Sequence, residues 1–310
     1  CPSHLTARRP LDQAHCQRLI GRSFVSELTL ALAFNGLVWG LIIALIALGL
    51  SVIFGLLDII NVAHGDFFML GTVGGFVVLT STGSFWLALL IVPVVGFGLG
   101  LVMERTIIRP TIHQAALTIV TTFGLSMILQ EAVRATYGAQ PRRMMAPIEG
   151  TVPIFGIDYE IYRIFAALFA GGSLIIFFLF LNRTRLGTWI RAVRHDPETA
   201  TALGIPVTWV CAITFALGTA MALLGGVIAA PITTVEFRTG VDILPFCFMA
   251  VIIGGLGNLQ GTVAAAVMLA VLEGITTSFS DPTVARILSL AIMSLVLIVR
   301  PHGLFAGATR

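Results

Sequence analysis

An all-α, polytopic bundle of transmembrane helices, with about eight to nine spans and broken or re-entrant helices among them, is the fold this sequence predicts. Three observations predict it. The 310 residues are 57% hydrophobic and 11% charged, with a mean hydropathy of +1.00, where soluble domains carry about a quarter charged residues. Long stretches hold no charged side chain: between Glu27 and Asp58, Asp66 and Glu104, Arg163 and Arg183, Glu198 and Glu236, and Asp242 and Glu273. Short polar clusters punctuate these stretches at the spacing expected of a hydrocarbon core about 30 Å thick, which takes about 20 apolar residues per helix.

In chain order the spans are read at residues 31–57, 65–81, 85–104, 115–133, 162–181, 207–229, 243–257, 261–279 and 284–299, with eight as the alternative count. The apolar run 67–103 is too long for one helix, and Thr80-Ser81-Thr82-Gly83-Ser84 is its natural turn. Two stretches are expected to be irregular: 50–65, which contains Asp58, Asn61 and His64, and 243–257, read as a half-helix. Such breaks are tolerated only where they are buried in protein or line a cavity. Residues 27–305 form one transmembrane domain, followed by a tail at 306–310. Residues 1–26 read as a polar arm with Arg8, Arg9, Arg18 and Arg22 and no signal-peptide core, so a start codon lies upstream or the arm is foreign to the mature protein.

Orientation follows from arginine placement, because cytoplasmic loops carry the positive excess. Arg183, Arg185, Arg191 and Arg194 mark one loop, Arg105 and Arg109 a second, and Arg300 and Arg310 the C-terminus; alternate crossing puts all three on one side, taken as cytoplasmic. Loop 134–162 mixes Arg142 and Arg143 with Glu149, Asp158 and Glu160 and is expected outside. Nine spans then place the N-terminus outside, against its four arginines.

Composition also removes several function classes. All 18 basic residues are arginine, so lysine-based Schiff-base and P-loop chemistry are unavailable and any ATP hydrolysis belongs to another chain. The arginines form no stripe interleaved with aromatics, so no nucleic-acid footprint exists. Cys1, Cys16, Cys211 and Cys247 show no CxxC pairing, and neither a zinc site nor a disulfide framework follows. Neither a G-x-S-x-G elbow nor an H-E-x-x-H helix occurs, so an enzyme is not expected.

Polar residues inside apolar sequence are costly in lipid and must face protein or water. Asn61, His64 and Asp66 are such a group, read either as a hydrogen-bonded anchor for a broken helix along a pathway or as a proton relay or ligand set. Glu273 and Gln130 read as interior polar glue, and Arg286 and Glu131 as side chains that snorkel from helix ends. Glycine pairs such as Gly225 and Gly226 suit close helix packing.

The loop 182–206 contains a small helix with clear punctuation. Asp196 is a good N-cap, Pro197 fits the first helical position and Glu198 complements the positive helix end. Ala200, Thr201, Ala202 and Leu203 continue it, Gly204 supplies the stop and Pro206 prevents resumption. So short a helix is marginal alone and must dock on something, or else it is a well-capped connector.

The run RAVRHDPETATALGIPV, followed by an apolar span ending in LLGGVIAAP, is similar to the cytoplasmic coupling segment of the LivH-type permeases of branched-chain amino acid ABC importers, through Arg191, Ala192, Asp196, Ala200, Leu203 and Gly204. NVAHGD resembles that family's N-x-A-H-G signature through Asn61, Ala63, His64 and Gly65, with Asp66 as the acidic residue that often follows. Further resemblances lie at 121–134 and 252–274, so that together they cover essentially residues 31–305. The resemblance implies a translocation pathway along Asn61, Ala63, His64, Gly65, Asp66, Thr121, Thr122, Gly254, Gly255 and Gly257. It implies ATPase coupling through Arg191, Asp196, Pro197, Glu198, Ala200, Leu203 and Gly204. It also implies a multi-pass subunit of the bacterial inner membrane, with no cofactor of its own and with ATP bound on partners. Those partners would be a second homologous permease, two cytoplasmic ATPases and a periplasmic binding protein, within membrane lipid. Family members carry leucine, isoleucine and valine, and relatives carry urea, amides or aromatic acids. The alternative is an ion-coupled secondary transporter or channel, which has no need of a capped cytoplasmic helix.

Overall fold

The computed structural model describes residues 10–112, 114–154, 157–300 and 303–305. Helix α1 (Pro10–Leu57) leads to α2 (His64–Thr82) and α3 (Phe85–Met103), which continues through a π-helical turn (Glu104–Ile108) into α4 (Arg109–Thr111). Then come α5 (Ala115–Tyr137), β1 (Arg142–Arg143), the antiparallel pair β2 (Thr151–Ile154) and β3 (Ile157–Glu160), and α6 (Ile161–Arg183). The rest comprises α7 (Arg185–His195), α8 (Pro197–Ala202), α9 (Val207–Ala229), β4 (Thr234–Val235), α10 (Thr239–Gly254), α11 (Leu259–Thr276) and α12 (Pro282–Val299).

Each of the nine predicted spans overlaps one helix, although 243–257 and 261–279 run a few residues past the ends of α10 and α11. Among the described residues seven helices are long and apolar enough to cross a membrane, the first of them the 29–57 part of α1, and α10 and α12 supply two shorter apolar helices. The 16 residues of α10 reach about 24 Å, less than the hydrocarbon thickness, which makes it the expected half-helix. The expected turn after Thr82 is present, with Gly83 in the left-handed conformation donating its N–H to the Leu79 carbonyl. Of the expected arm 1–26, residues 10–26 are helical and continuous with α1, which meets no proline after Pro10; residues 1–9 and the expected tail 306–310 lie outside the described residues.

α1 is the axle of the bundle. Ile42, Leu45, Ile46 and Leu48 are fully buried, so this helix is apolar on every side rather than along one stripe. It runs antiparallel to α9, with Gly49 against Gly218 and Ile46 against Gly225. It also runs antiparallel to α11, with Gly36 against Ala270 and the Thr262 hydroxyl 3.1 Å from that of Ser51.

The ends of the bundle differ. At one end Arg194 lies against Gly55 and Gly257, the Leu304 N–H donates to the Ile253 carbonyl, and the π-helical turn packs on α9. The two arginine loops read as cytoplasmic therefore share one end with Arg300, while Arg310 lies outside the described residues. The other end carries the strands: β1 pairs with β4, and the β2–β3 hairpin is tied to α1 where Tyr159 Oη and Arg163 Nη1 both donate to Asn35 Oδ1, at 2.9 and 3.0 Å. β1 and β4 arise from pairing between remote loops, whereas β2 and β3 are a local hairpin.

A re-entrant break and a capped helix pair

α1 stops where Asp58 takes a φ of 51°, a left-handed conformation that Asp tolerates better than most residues. The chain turns back into the bundle, Asn61 Oδ1 accepting from the Ala63 N–H at 3.1 Å in a local turn, and α2 starts at His64. His64 is fully buried, and its Nε2–H donates to the Ile46 carbonyl at 3.0 Å. Ile46 lies eleven residues up α1 from Leu57, about 16 Å of helix, so α2 begins deep in the bundle rather than at its surface.

The start of α10 comes to the same place. A Cβ on Gly65 would strike the Gly240 carbonyl, and one on Gly240 would sit 2.8 Å from Asp66 Oδ1, so both positions require glycine for close approach. α5 closes the third side with Thr122, Ser126 and Gln130, spaced four apart on one face. Thr122 Oγ1 accepts from the Val62 N–H at 3.3 Å, and Gln130 Nε2 donates to Asp66 Oδ1 at 3.0 Å and to Ser126 Oγ at 2.9 Å. Asp66 is 2% exposed. Two buried nitrogen atoms, Asn61 Nδ2 and His64 Nδ1, have no hydrogen-bond partner, a condition uncommon enough to call for a reason.

Of the expected pathway residues, the structure thus brings together Asn61, Ala63, His64, Gly65, Asp66 and Thr122. Thr121 is not part of the group, since its hydroxyl turns to the Leu117 carbonyl of its own helix. Gly254, Gly255 and Gly257 are elsewhere as well. They form the turn after α10, and the fourteen residues from Gly240 to Gly254 put about 21 Å of helix between them and the break. Ser126 and Gly240 are members the sequence reading missed. The four-residue spacing with Thr122 and Gln130 could have revealed Ser126, whereas nothing local marks Gly240.

The loop 182–206 holds two helices rather than one. α7 begins on a Thr184 cap, whose hydroxyl accepts from the Gly187 N–H at 3.1 Å, and buries Gly187, Ile190 and Val193 at helical spacing. α8 is capped by Asp196, whose Oδ1 accepts from the Glu198 and Thr199 N–H groups at 3.0 Å each while Oδ2 accepts from the Thr199 hydroxyl. Donation from Thr199, side chain first and amide second, holds the Asp196 carboxyl below its ordinary range, so the cap is intact at neutral pH. Gly204 ends the helix with a φ of 80°, as expected.

Besides the Asp196 cap, two of the expected coupling residues are engaged within the chain. Ala200 is 2% exposed and forms the seat of α8 on the protein, because its small side chain is on the docked face. Arg191 turns back to cap α6, donating to the Leu181 carbonyl and, at 3.3 Å, to Thr188 Oγ1. The outward face of α8 presents Pro197, Glu198 and Leu203, the last 75% exposed. In the π-helical turn, which packs on α9, the buried Glu104 carboxylate takes two hydrogen bonds from Arg109 of α4, at 3.0 and 3.3 Å.

A polytopic bundle whose helices break in the interior around buried polar groups has the architecture of a transport permease. Comparison with known proteins specifies which kind. The model of the family described as "Branched-chain amino acid transport system / permease component" matches residues 32–297, and the chain belongs to that family of multi-pass membrane transport subunits. It is 26% identical over 295 residues to the high-affinity branched-chain amino acid transport system permease protein LivH of Salmonella typhimurium, covering 87% of this chain and 93% of the relative. The corresponding protein BraD of Pseudomonas aeruginosa is 28% identical with the same coverage. A probable branched-chain amino acid transport permease protein LivH of Methanocaldococcus jannaschii is 23% identical, covering 87% of this chain and 90% of the relative. No solved structure matches the chain.

Proposed function

We propose that this chain forms the translocation pathway of an ABC importer for branched-chain or related amino acids, driven by ATP hydrolysis on partner subunits. Its partners in this reading are a second related permease, two cytoplasmic ATPases and a periplasmic binding protein. The observation that carries the proposal is the α7–α8 segment, a pair of capped helices outside the apolar spans with an exposed leucine at its tip. Capping at both ends keeps α8 rigid when it is pushed. Arg191 fastens the pair to the end of α6, and the Arg194 guanidinium packs on Gly257, in the turn that ends α10. The far end of α10 sits on Gly65 beside His64. The path of contacts from the ATPase surface to the re-entrant break therefore runs along α10, a 16-residue helix with Pro245 inside it. The unpartnered atoms of Asn61 and His64 support this reading, since a site that alternates between two arrangements cannot satisfy every polar atom in each.

Leu203→Glu tests it, because the substitution charges the tip without touching the spans. The purified variant should insert normally, lose its ATPase subunits on co-purification and lose ATP-driven uptake of leucine in vesicles. Parental ATPase retention and uptake by Leu203→Glu would refute the coupling role and bring an ion-coupled carrier forward.

A further inference from the structure

Two cavities lie side by side toward the strand-bearing end of the bundle. One, of about 240 Å³, is lined by Glu236, Asp242, Glu273 and Arg286 together with apolar walls from Trp39, Phe68, Ile243 and Phe246. The other, of about 300 Å³, shares Trp39, Thr233 and Glu273 with the first and extends to Asn35 and Arg163. Glu273 is thus the charged group common to both chambers. Among the described residues, Glu236, Asp242, Glu273 and Arg286 make no salt bridge, and the Arg286 guanidinium instead lies 5.0 Å from the centre of the Phe246 ring. Charged groups of both signs around an apolar-walled cavity in a membrane protein are neither packing nor snorkelling. Arg286 acts on Glu273 through its charge without a hydrogen bond to it, whereas Gln130, hydrogen-bonded to Asp66 and Ser126, shows what closely paired helix glue looks like here.

We propose that this cavity is a cargo-binding site within the permease itself, built for a small zwitterion with an apolar side chain. The three carboxylates receive an ammonium group, Arg286 the opposite carboxylate, and Trp39, Phe68 and Phe246 the apolar side chain. Its volume suits a small molecule, near the lower end of ligand pockets at about 300–1,000 Å³. Three negative charges against one positive make the ammonium the group read most strongly, so uncharged cargo such as urea or a simple amide is refused. The inference rests on the amino-acid importer reading above and deepens it, placing part of the selectivity in this chain rather than in the binding protein alone.

The test uses the permease–ATPase complex purified without binding protein, with radiolabelled L-leucine as probe. Saturable binding is expected, displaced by isopentylamine, less well by 4-methylpentanoate, and not by urea. Glu273→Gln and Asp242→Asn should each weaken binding by about tenfold or more through loss of a charge-assisted contact, while Glu273→Asp retains most of it. Parental yields of complex from all three variants would show that folding is intact. No saturable binding by the parental complex, or binding unchanged in both neutralised variants, overturns the site. Leucine uptake by the complete parental importer separates the two readings: uptake without binding by the purified complex sinks only this inference, and absence of any amino-acid uptake sinks the importer reading with it.

Discussion

Gln130 decides how the buried carboxylate of Asp66 is held, because its amide N–H groups serve both Asp66 Oδ1 and Ser126 Oγ. Leucine at this position keeps the volume and removes the donor, leaving a carboxyl group that is 2% exposed with one fewer partner. An unmade buried hydrogen bond costs about 1–3 kcal/mol, so Gln130→Leu should lower the melting temperature of the detergent-purified protein by several degrees. Gln130→Glu should lower it further, since it sets two acids face to face. A melting temperature equal to the parental one for Gln130→Leu would mean that the contact carries no weight. This part of the site was legible in sequence to the extent that cost makes polar residues conspicuous: His64 and Asp66 stand out in an apolar run, and Asn61 with them. Gly240 does not stand out, because a close approach between two remote helix starts leaves no local pattern, and the length of α10 separates Gly254, Gly255 and Gly257 from the break with which the motif groups them.

α8 shows the opposite balance, since nearly all of its structure could be read from its punctuation. Asp196, Pro197, Glu198 and Gly204 occupy cap, first position, first turn and stop because each satisfies a backbone requirement that is local. What was not legible is which face docks: Ala200 faces the protein and Leu203 faces out, a matter of tertiary contact. α7 was read as loop because its arginines hide a short apolar face, Ile190 and Val193. Gly204 offers the cleanest test of rigidity, since a Cβ there meets no neighbouring atom and only the backbone conformation is at stake. A β-branched residue at a φ of 80° costs about 1–2 kcal/mol, enough to loosen a helix of one and a half turns. Gly204→Val should therefore reduce ATP-driven uptake severalfold with normal membrane insertion, whereas Gly204→Asn, which tolerates the left-handed region, should transport near the parental rate. Equal uptake by both variants would remove the rigid-lever role from α8.

Across the whole molecule, charge and polarity sort the two ends. The end that holds α7, α8, the π-helical turn and the C-terminal segment carries Arg105, Arg109, Arg183, Arg185, Arg191, Arg194 and Arg300. Acidic residues there are few, and the most buried of them, Glu104, is committed to Arg109. The opposite end mixes its arginines with acids, pairing Arg134 with Glu131 and Arg163 with Glu160. Cytoplasmic loops keep an excess of arginine because translocating uncompensated positive charge is disfavoured, so the α7–α8 end belongs inside. The assignment can be decided with two exposed positions at opposite ends, Thr188 in α7 and Glu149 in the loop before β2. In a background with Cys1, Cys16, Cys211 and Cys247 replaced, a membrane-impermeant maleimide added outside spheroplasts should label Glu149→Cys and leave Thr188→Cys unmodified until the membrane is opened. Inverted vesicles should reverse the pattern. Labelling of Thr188→Cys from outside intact spheroplasts would invert the molecule, carry Leu203 away from any cytoplasmic ATPase, and turn the paired cavities around Glu273 toward the cytoplasm.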